Sequence, residues 1–452
     1  MNLIEQFKNT TLSLPKLPVH YVDTIRSENG QVTQEHMQCN SKQPFGTGSV
    51  YKTGIVSYKV LAEGEGVKTV YEMSIKEPPN MEEYFPGDTI GILTQNLASD
   101  VDFVLERLHF VEIADCVYEV KLAKPVKKKN PEIPFYIPKY ITPRRLLTDC
   151  LDFRIVPRKL FLQVLASYTS DPCEKRLLEI LASREGANFY NEFILKNEMS
   201  FIHLLKILSS CRPSLAMLIE HFPRLLARPY SIANYNRGGG QIRIVFAMLN
   251  DGKVGITTTM FENKLLYAGK YDKYLYIYLR QTKPSFQYRE EDLEKNIIMI
   301  GPGTGVSPYL SFLEFRKRAK QLNKKIKFGS ALLLTSCRHR DRNYLFQDEL
   351  QQYVQLGLLD NVYEAFSRDP DSRYKFVQDI IEDQKEPFIK MLLEDNTKLY
   401  LCGEGRTMLP RIQDMISTCL SKIQCIPKVE ADSLMTEYRK IGKYMYFSMI
   451  RY

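Results

Sequence analysis

The sequence predicts a β plus α/β protein: an antiparallel β-barrel carrying a helical insert, followed by a parallel α/β domain. Three observations predict it. Residues 46–93 hold short alternating strands separated by glycine turns, the pattern of an antiparallel sheet or barrel. From about residue 296, short apolar runs alternate with helical patterns, which builds a parallel sheet covered by helices. Between the two, from about 97 to 226, the apolar spacing is mostly helical. The expected organisation is a tail or linker over 1–45, a barrel with its insert over 46–292, and an α/β domain over 293–452.

The elements follow in order. Residues 1–45 are polar and weakly periodic. Residues 53–60 and 69–75 alternate, and Phe85-Pro86-Gly87-Asp88 is a turn feeding a strand over 89–93. In the insert, Asp102 to Leu108 opens the first helical run, and Pro143 suits the first turn of the second. Helical spacing continues over 157–168, 174–184 and 201–208. Strands return at 228–233 and 241–248, which read as a pair across the turn at 236–240. Gly255 opens a turn that becomes a short helix, and 273–279 is another strand. The last region has strands at 297–300, 330–335, 362–366 and 398–403, with helices near 345–356, 377–382 and 408–421. Open α/β sheets bind ligands beyond the carboxyl ends of their strands. Gly301, Ser336, Ser367 and Cys402 would share that edge.

Composition narrows the class. The chain has 452 residues, 44% apolar and 25% charged, as in an ordinary globular protein. No apolar run approaches the roughly 20 residues that span a bilayer, and Met1 to Lys8 does not read as a signal peptide. A cytoplasmic protein with no membrane contact is expected. The formal charge of +9 is spread along the chain, and its densest run, 124–129, reads as a solvated loop. That distribution suits an acidic protein or a polyphosphate cofactor better than nucleic acid. Nine cysteines without Cys-x-x-Cys spacing, and six scattered histidines, give no disulfide framework and no metal site.

The strongest local signal is the stretch from Ile297 to Pro308. Four apolar residues lead into Gly301-Pro302-Gly303-Thr304-Gly305, and a helical pattern follows. Glycine permits close backbone approach, and a helix N-terminus favours phosphate. The spacing is neither the Rossmann fingerprint nor a P-loop. Alone, it fits a nucleotide loop and an ordinary tight turn equally well.

Several motifs in combination resemble the ferredoxin-NADP reductase-like module. Arg228-Pro229-Tyr230-Ser231 followed by Gly255-Ile256-Thr257-Thr258 is similar to its paired FAD motifs. Gly301 to Pro308 looks like its nicotinamide loop, and Cys337-Arg338-His339, Ser367-Arg368-Asp369, Phe376-Val377-Gln378 and Cys402-Gly403-Glu404-Gly405 follow in the expected order. The large helical insert resembles the diflavin reductase family. Ile155 to Leu162, Tyr168 to Asp171, Glu174-Lys175-Arg176, Arg338 to Arg342 and Tyr344-Leu345-Phe346 resemble its methionine synthase reductase branch. The resemblance runs from about residue 44 to about 421.

The resemblance implies two cofactors, FAD and NADPH. Arg228 would offer a bidentate cation to the FAD pyrophosphate, with Gly255, Ile256, Thr257 and Thr258 on its other side. Pro229, Tyr230 and Ser231 would face the isoalloxazine, with Ser231 near the atom that accepts hydride; Lys52 would lie near the FAD. Gly301, Gly303, Thr304 and Gly305 would pass the nicotinamide, and Cys402 would help to position it. Arg338, Ser367 and Arg368 would hold the 2′-phosphate, with Lys375, Phe376 and Gln378 completing that pocket. The family often shows Lys-x-Tyr-x-Gln at this point, whereas this chain has Tyr374-Lys375-Phe376-Val377-Gln378.

Two family features are not recognisable. The sequence before the barrel leaves no room for an FMN domain, so FMN is not expected in this chain. The family's terminal flavin-stacking aromatic and preceding acid are also missing: the chain has no Trp, and its last acid is Glu437. Tyr444, Tyr446, Phe447 and Tyr452 are candidate stacking residues, with Tyr452 placed first. The resemblance then implies an NADPH-dependent flavoprotein reductase. It would pass electrons to a separate FMN or flavodoxin-like carrier, or to methionine synthase in its reductive reactivation. Two rivals stand beside this reading: a partner-binding protein with weakened catalysis, and a stand-alone NADPH diaphorase.

Overall fold

The computed structural model describes residues 3–124, 129–235, 240–249, 254–267, 269, 271–281 and 286–449. Among them are fourteen strands. The first six are β1 (Val22–Arg26), β2 (Tyr51–Ala62), β3 (Val70–Lys76), β4 (Thr89–Ile92), β5 (Tyr118–Leu122) and β6 (Tyr140–Ile141). The next three are β7 (Arg228–Ser231), β8 (Gln241–Ala247) and β9 (Tyr274–Arg280). The last five are β10 (Asn296–Ile300), β11 (Ala331–Cys337), β12 (Asn361–Phe366), β13 (Thr397–Glu404) and β14 (Tyr444–Met449). The chain divides into two compact units: residues 1–42 with 93–227, and residues 43–92 with 228–452.

The first unit is mainly helical around one apolar core. Its helices begin where capping chemistry places them. Thr142 accepts from Arg145 N ahead of Pro143–Asp149, and Asp171 accepts from Cys173 N and Glu174 N ahead of Pro172–Ala182; both helices also start on proline. The N-terminal segment belongs to this unit. β1 pairs antiparallel with β5, and the buried Gln38 side chain donates to the carbonyl of Leu225 at 2.9 Å. That strand was not visible in the sequence pattern, because its partner lies about a hundred residues away.

The second unit holds both predicted sheets. The antiparallel barrel has the order β7-β4-β9-β2-β3-β8. The expected hairpin between 228–233 and 241–248 does not form as a strand pair: β7 pairs with β4, and β8 with β3. Pro229 explains part of this, since a strand lacking one N–H belongs at an edge. The two edges still meet through Ala233 N, which donates to Arg243 O at 2.8 Å. The helical insert leaves after Ile92 and returns at Arg228, and these two residues are partners in the ladder.

The second sheet is fully parallel, β12-β11-β10-β13-β14. Its central strands are apolar on both faces, as burial under helices requires. One face shares a core with the barrel, and the other forms its own. Barrel and parallel sheet are further joined by a part-buried ion cluster. Arg243 on β8 lies 3.3 Å from Glu72, 3.1 Å from Glu349 and 3.9 Å from Glu314.

Candidate cofactor site

The barrel end is built on β7. Tyr230 lies within 5.3 Å of the Phe261 ring and 6.4 Å of Phe246, centroid to centroid. Burial pushes its phenol well above the usual range, while Arg228 and a hydrogen bond with Thr257 act in the opposite direction. The hydroxyl therefore stays protonated. The strand also sets Ser231 opposite Thr89, and the Ser231 hydroxyl has no protein partner among the described residues.

Thr257 belongs to the first turn of the helix Ile256–Leu266, which Gly255 caps. A Cβ at Gly255 would fall 2.5 Å from Thr258 Oγ1, so the loop has contracted onto its own first turn. Thr259 N donates to Gly255 O at 2.9 Å. The N–H groups before it lie outside the helical ladder, and the first turn carries no acid. Together with Arg228, this offers cation and backbone donors to an anion, which fits the FAD pyrophosphate. Lys52 is placed differently. It is exposed on β2, with its ammonium 4.7 Å from the centroid of the Tyr274 ring and 6.0 Å from that of Tyr276.

The glycine loop leaves β10 at the carboxyl edge of the parallel sheet. Gly303 has φ +57°, a conformation that favours glycine. A Cβ at Gly301 would meet Gly305 O at 2.5 Å, and one at Gly305 would meet Cys402 O at 2.4 Å. The loop is thus packed on itself and on the end of β13. Thr335 Oγ1 donates to Gly301 O at 3.0 Å. The Tyr309 hydroxyl lies 2.9 Å from Ile300 O and 3.0 Å from Tyr400 O, so a single proton is shared between the end of β10 and the middle of β13. This cradle leaves backbone, not side chains, beside a ligand, which fits a nicotinamide dinucleotide.

Cys402 is fully buried, and burial pushes its thiol far up. It is held as a neutral group. Glu404, two residues on, accepts from the N–H groups of Arg406, Thr407 and Met408 at 2.6, 2.9 and 3.2 Å. Desolvation alone would raise this carboxyl; the donors, Thr407 first, outweigh it and hold it down at about 2.

Across the ladder from Cys402 stands Phe447 of β14. Its ring lies 6.3 Å from that of Phe286. Local pattern could not reveal this partner, because the register is fixed by tertiary pairing. Tyr452, placed first in the sequence reading, lies outside the described residues.

The ends of β11 and β12 bring Arg338, Ser367 and Arg368 together. Ser367 N donates to Cys337 O at 3.0 Å, and Arg368 N to Arg338 O at 2.9 Å. Lys375 points elsewhere, with its ammonium bonded to the carbonyls of Asp369 and Pro370. Phe376 is 57% exposed, and Gln378 lies in the first turn of the helix Val377–Asp383. Asp369 accepts from His339 Nδ1 at 3.0 Å and from Arg340 N at 2.8 Å.

A fold that joins an antiparallel barrel to a parallel nucleotide sheet, with anion donors at the barrel rim and a glycine cradle at the sheet edge, defines a flavin- and nicotinamide-binding oxidoreductase. The comparisons agree. Residues 43–245 match the FAD binding domain family, and residues 299–414 match the oxidoreductase NAD-binding domain family. The chain carries these two domains in tandem, and over nearly its whole length it is similar to methionine synthase reductase. It is 28% identical to methionine synthase reductase of Rattus norvegicus, over 98% of this chain and 67% of that protein. The corresponding protein of Caenorhabditis elegans is 30% identical over 80% of this chain and 54% of its own length. NADPH–cytochrome P450 reductase of Salmo trutta is 27% identical, over 89% and 63% respectively. The chain spans about two thirds of the length of the first of these relatives, and less of the others. Among the described residues, no helix is long and apolar enough to cross a membrane.

Proposed function

We propose that this chain is an NADPH-dependent FAD reductase that passes electrons to a separate acceptor. The observation that carries the reading is the glycine loop seated on the carbonyl of Cys402 at the carboxyl edge of the sheet. FAD, when bound, supplies the chemistry: it takes a hydride and releases single electrons. The chain supplies position. Arg228 and the helix that begins at Ile256 hold the pyrophosphate from two sides, with Gly255, Thr257 and Thr258 lining it. Pro229 and Tyr230 shape the flavin face, Lys52 lies toward its edge, and the Ser231 hydroxyl is available to the hydride-accepting atom. Gly301, Gly303, Thr304 and Gly305 carry the dinucleotide, and the neutral Cys402 thiol packs against the nicotinamide. Arg338, Ser367 and Arg368 take the 2′-phosphate, with Lys375, Phe376 and Gln378 at the margin. In this reading, residues 46–292 serve the flavin and 293–452 the nicotinamide.

The acceptor in this reading is an FMN or flavodoxin-like carrier, or methionine synthase itself. The names of the relatives support the link to methionine synthase, and the +9 charge suits an acidic carrier in the cytosol. The test is an absorbance spectrum of the purified protein, followed by anaerobic NADPH titration. Flavin bands that bleach with NADPH support the reading; bound flavin that stays oxidised sinks it.

A second reading has one observation in its favour. The position facing Cys402 is Phe447, which cannot move or balance charge. A partner-binding protein that keeps the fold with weakened catalysis would tolerate that. Under this reading, bound FAD is reduced by NADPH slowly or not at all, while a carrier protein still binds.

A further inference from the structure

The tip of the β2–β3 hairpin carries an inference that rests on the NADPH reading above. Arg338 Nη1 donates to Gly66 O at 2.6 Å, and Arg368 Nη1 reaches the same oxygen at 3.4 Å. Arg342 Nη1 lies 3.5 Å from Glu65 O. The tip can turn its carbonyls this way because Gly64 and Gly66 have φ of +121° and +78°, which side chains rarely adopt. Val67, 3% exposed, anchors it. Two guanidinium groups that converge on one oxygen form a place for an anion, and these are the two arginines of the 2′-phosphate pocket. The pocket's third cation, Lys375, is turned onto the carbonyls of Asp369 and Pro370. The hairpin tip also brings two carboxylates, Glu63 and Glu65. A 2′-phosphate, which carries roughly two negative charges, is disfavoured by like charge beside these exposed carboxylates.

We propose that the hairpin tip, Glu63 to Gly66, is an internal competitor for the 2′-phosphate pocket and sets how strongly the chain prefers NADPH to NADH. The Gly66 carbonyl holds Arg338 and Arg368 when no phosphate is there. A 2′-phosphate displaces it, and the two glutamates oppose the exchange. Selectivity for the phosphorylated dinucleotide is therefore lower than the two arginines alone would give.

The test uses the full FAD-loaded chain with 2′,5′-ADP and 5′-AMP as probes in calorimetric titration at low salt. The Glu63→Gln/Glu65→Gln double variant should bind 2′,5′-ADP several-fold more tightly, with 5′-AMP unchanged. The gain should shrink at high salt. Replacing the tip by a two-residue Asn-Gly turn should act in the same direction and further. Unchanged or weaker 2′,5′-ADP binding in both variants overturns the proposal. An Arg368→Ala variant separates the two claims. If it removes a wild-type preference for 2′,5′-ADP while the hairpin variants change nothing, the pocket stands and the competitor falls. If neither wild type nor any hairpin variant prefers 2′,5′-ADP to 5′-AMP, the NADPH reading falls and the competitor with it.

Discussion

Cys402 and Glu404 stand two residues apart on β13, and their surroundings give them opposite behaviour. The thiol is fully buried and pushed far up by desolvation, so it remains unreactive while the fold is intact. Native alkylation with iodoacetamide at pH 8, read by mass spectrometry, should label the exposed Cys173 and Cys425 and spare Cys402. Cys402→Ala should slow hydride transfer by roughly tenfold to a hundredfold through misplacement of the ring, with dinucleotide affinity nearly unchanged; stopped-flow flavin reduction measures it. Glu404 is held at about 2 by its backbone donors. Its native value lies below the ordinary one, so its contribution is complete above the ordinary glutamate range and is lost as pH falls from about 4.5 through about 2. Protection of the Thr407 and Met408 amides from hydrogen exchange, taken relative to the intrinsic rate at each pH, should fall across that window in the wild type. In Glu404→Gln that protection should be weaker already at neutral pH. Of the proposed site, Arg228, Tyr230, Ser231, the three glycines and Cys402 could be named from the sequence because each sits in a local motif. Phe447 stood only among four C-terminal candidates, since nothing within that sequence states which residue faces Cys402.

At the scale of elements, Pro143 announced one helix start, while the helix read from Glu174 begins two residues earlier, at Pro172. Asp171 and Thr142 before prolines mark helix starts, and Asp171→Ala should cost about 1 kcal/mol in urea unfolding of the helical unit. Elements held by distant partners were harder to see. β1 needs β5, and the edge role of β7 follows from Pro229 and from pairing with β4. The ion cluster on β8 is likewise non-local: Arg243 compensates carboxylates from β3 and from two helices of the parallel domain. Arg243→Met leaves those acids without their cation in a part-buried place. The loss should be about 3 kcal/mol, the lower end for a broken buried pair, and Arg243→Lys should recover a fraction of it. A change within about 0.5 kcal/mol for Arg243→Met, the range of an ordinary surface substitution, would show that the cluster holds little of the junction.

For the whole molecule, the open question is where electrons go after the flavin, and charge gives the lever. The chain carries 62 basic and 53 acidic side chains. An acidic carrier is drawn to such a surface by long-range attraction, which raises association rate more than it raises affinity, and salt screens it within about 10 Å at 0.1 M. A small anionic oxidant such as ferricyanide needs no docking surface and takes electrons from any exposed flavin edge. Two acceptors therefore separate the rival functions. If the chain serves a carrier protein, NADPH-driven reduction of a flavodoxin should fall steeply between 50 and 300 mM salt, roughly tenfold or more, while anaerobic reduction of the bound flavin by NADPH stays nearly constant. Ferricyanide turnover at every salt concentration, with flavodoxin never reduced, would instead mark a diaphorase that requires no partner. Flavin that binds but does not bleach, together with carrier binding that weakens with salt, would leave a docking protein in which Phe447 stands where a charged group would help.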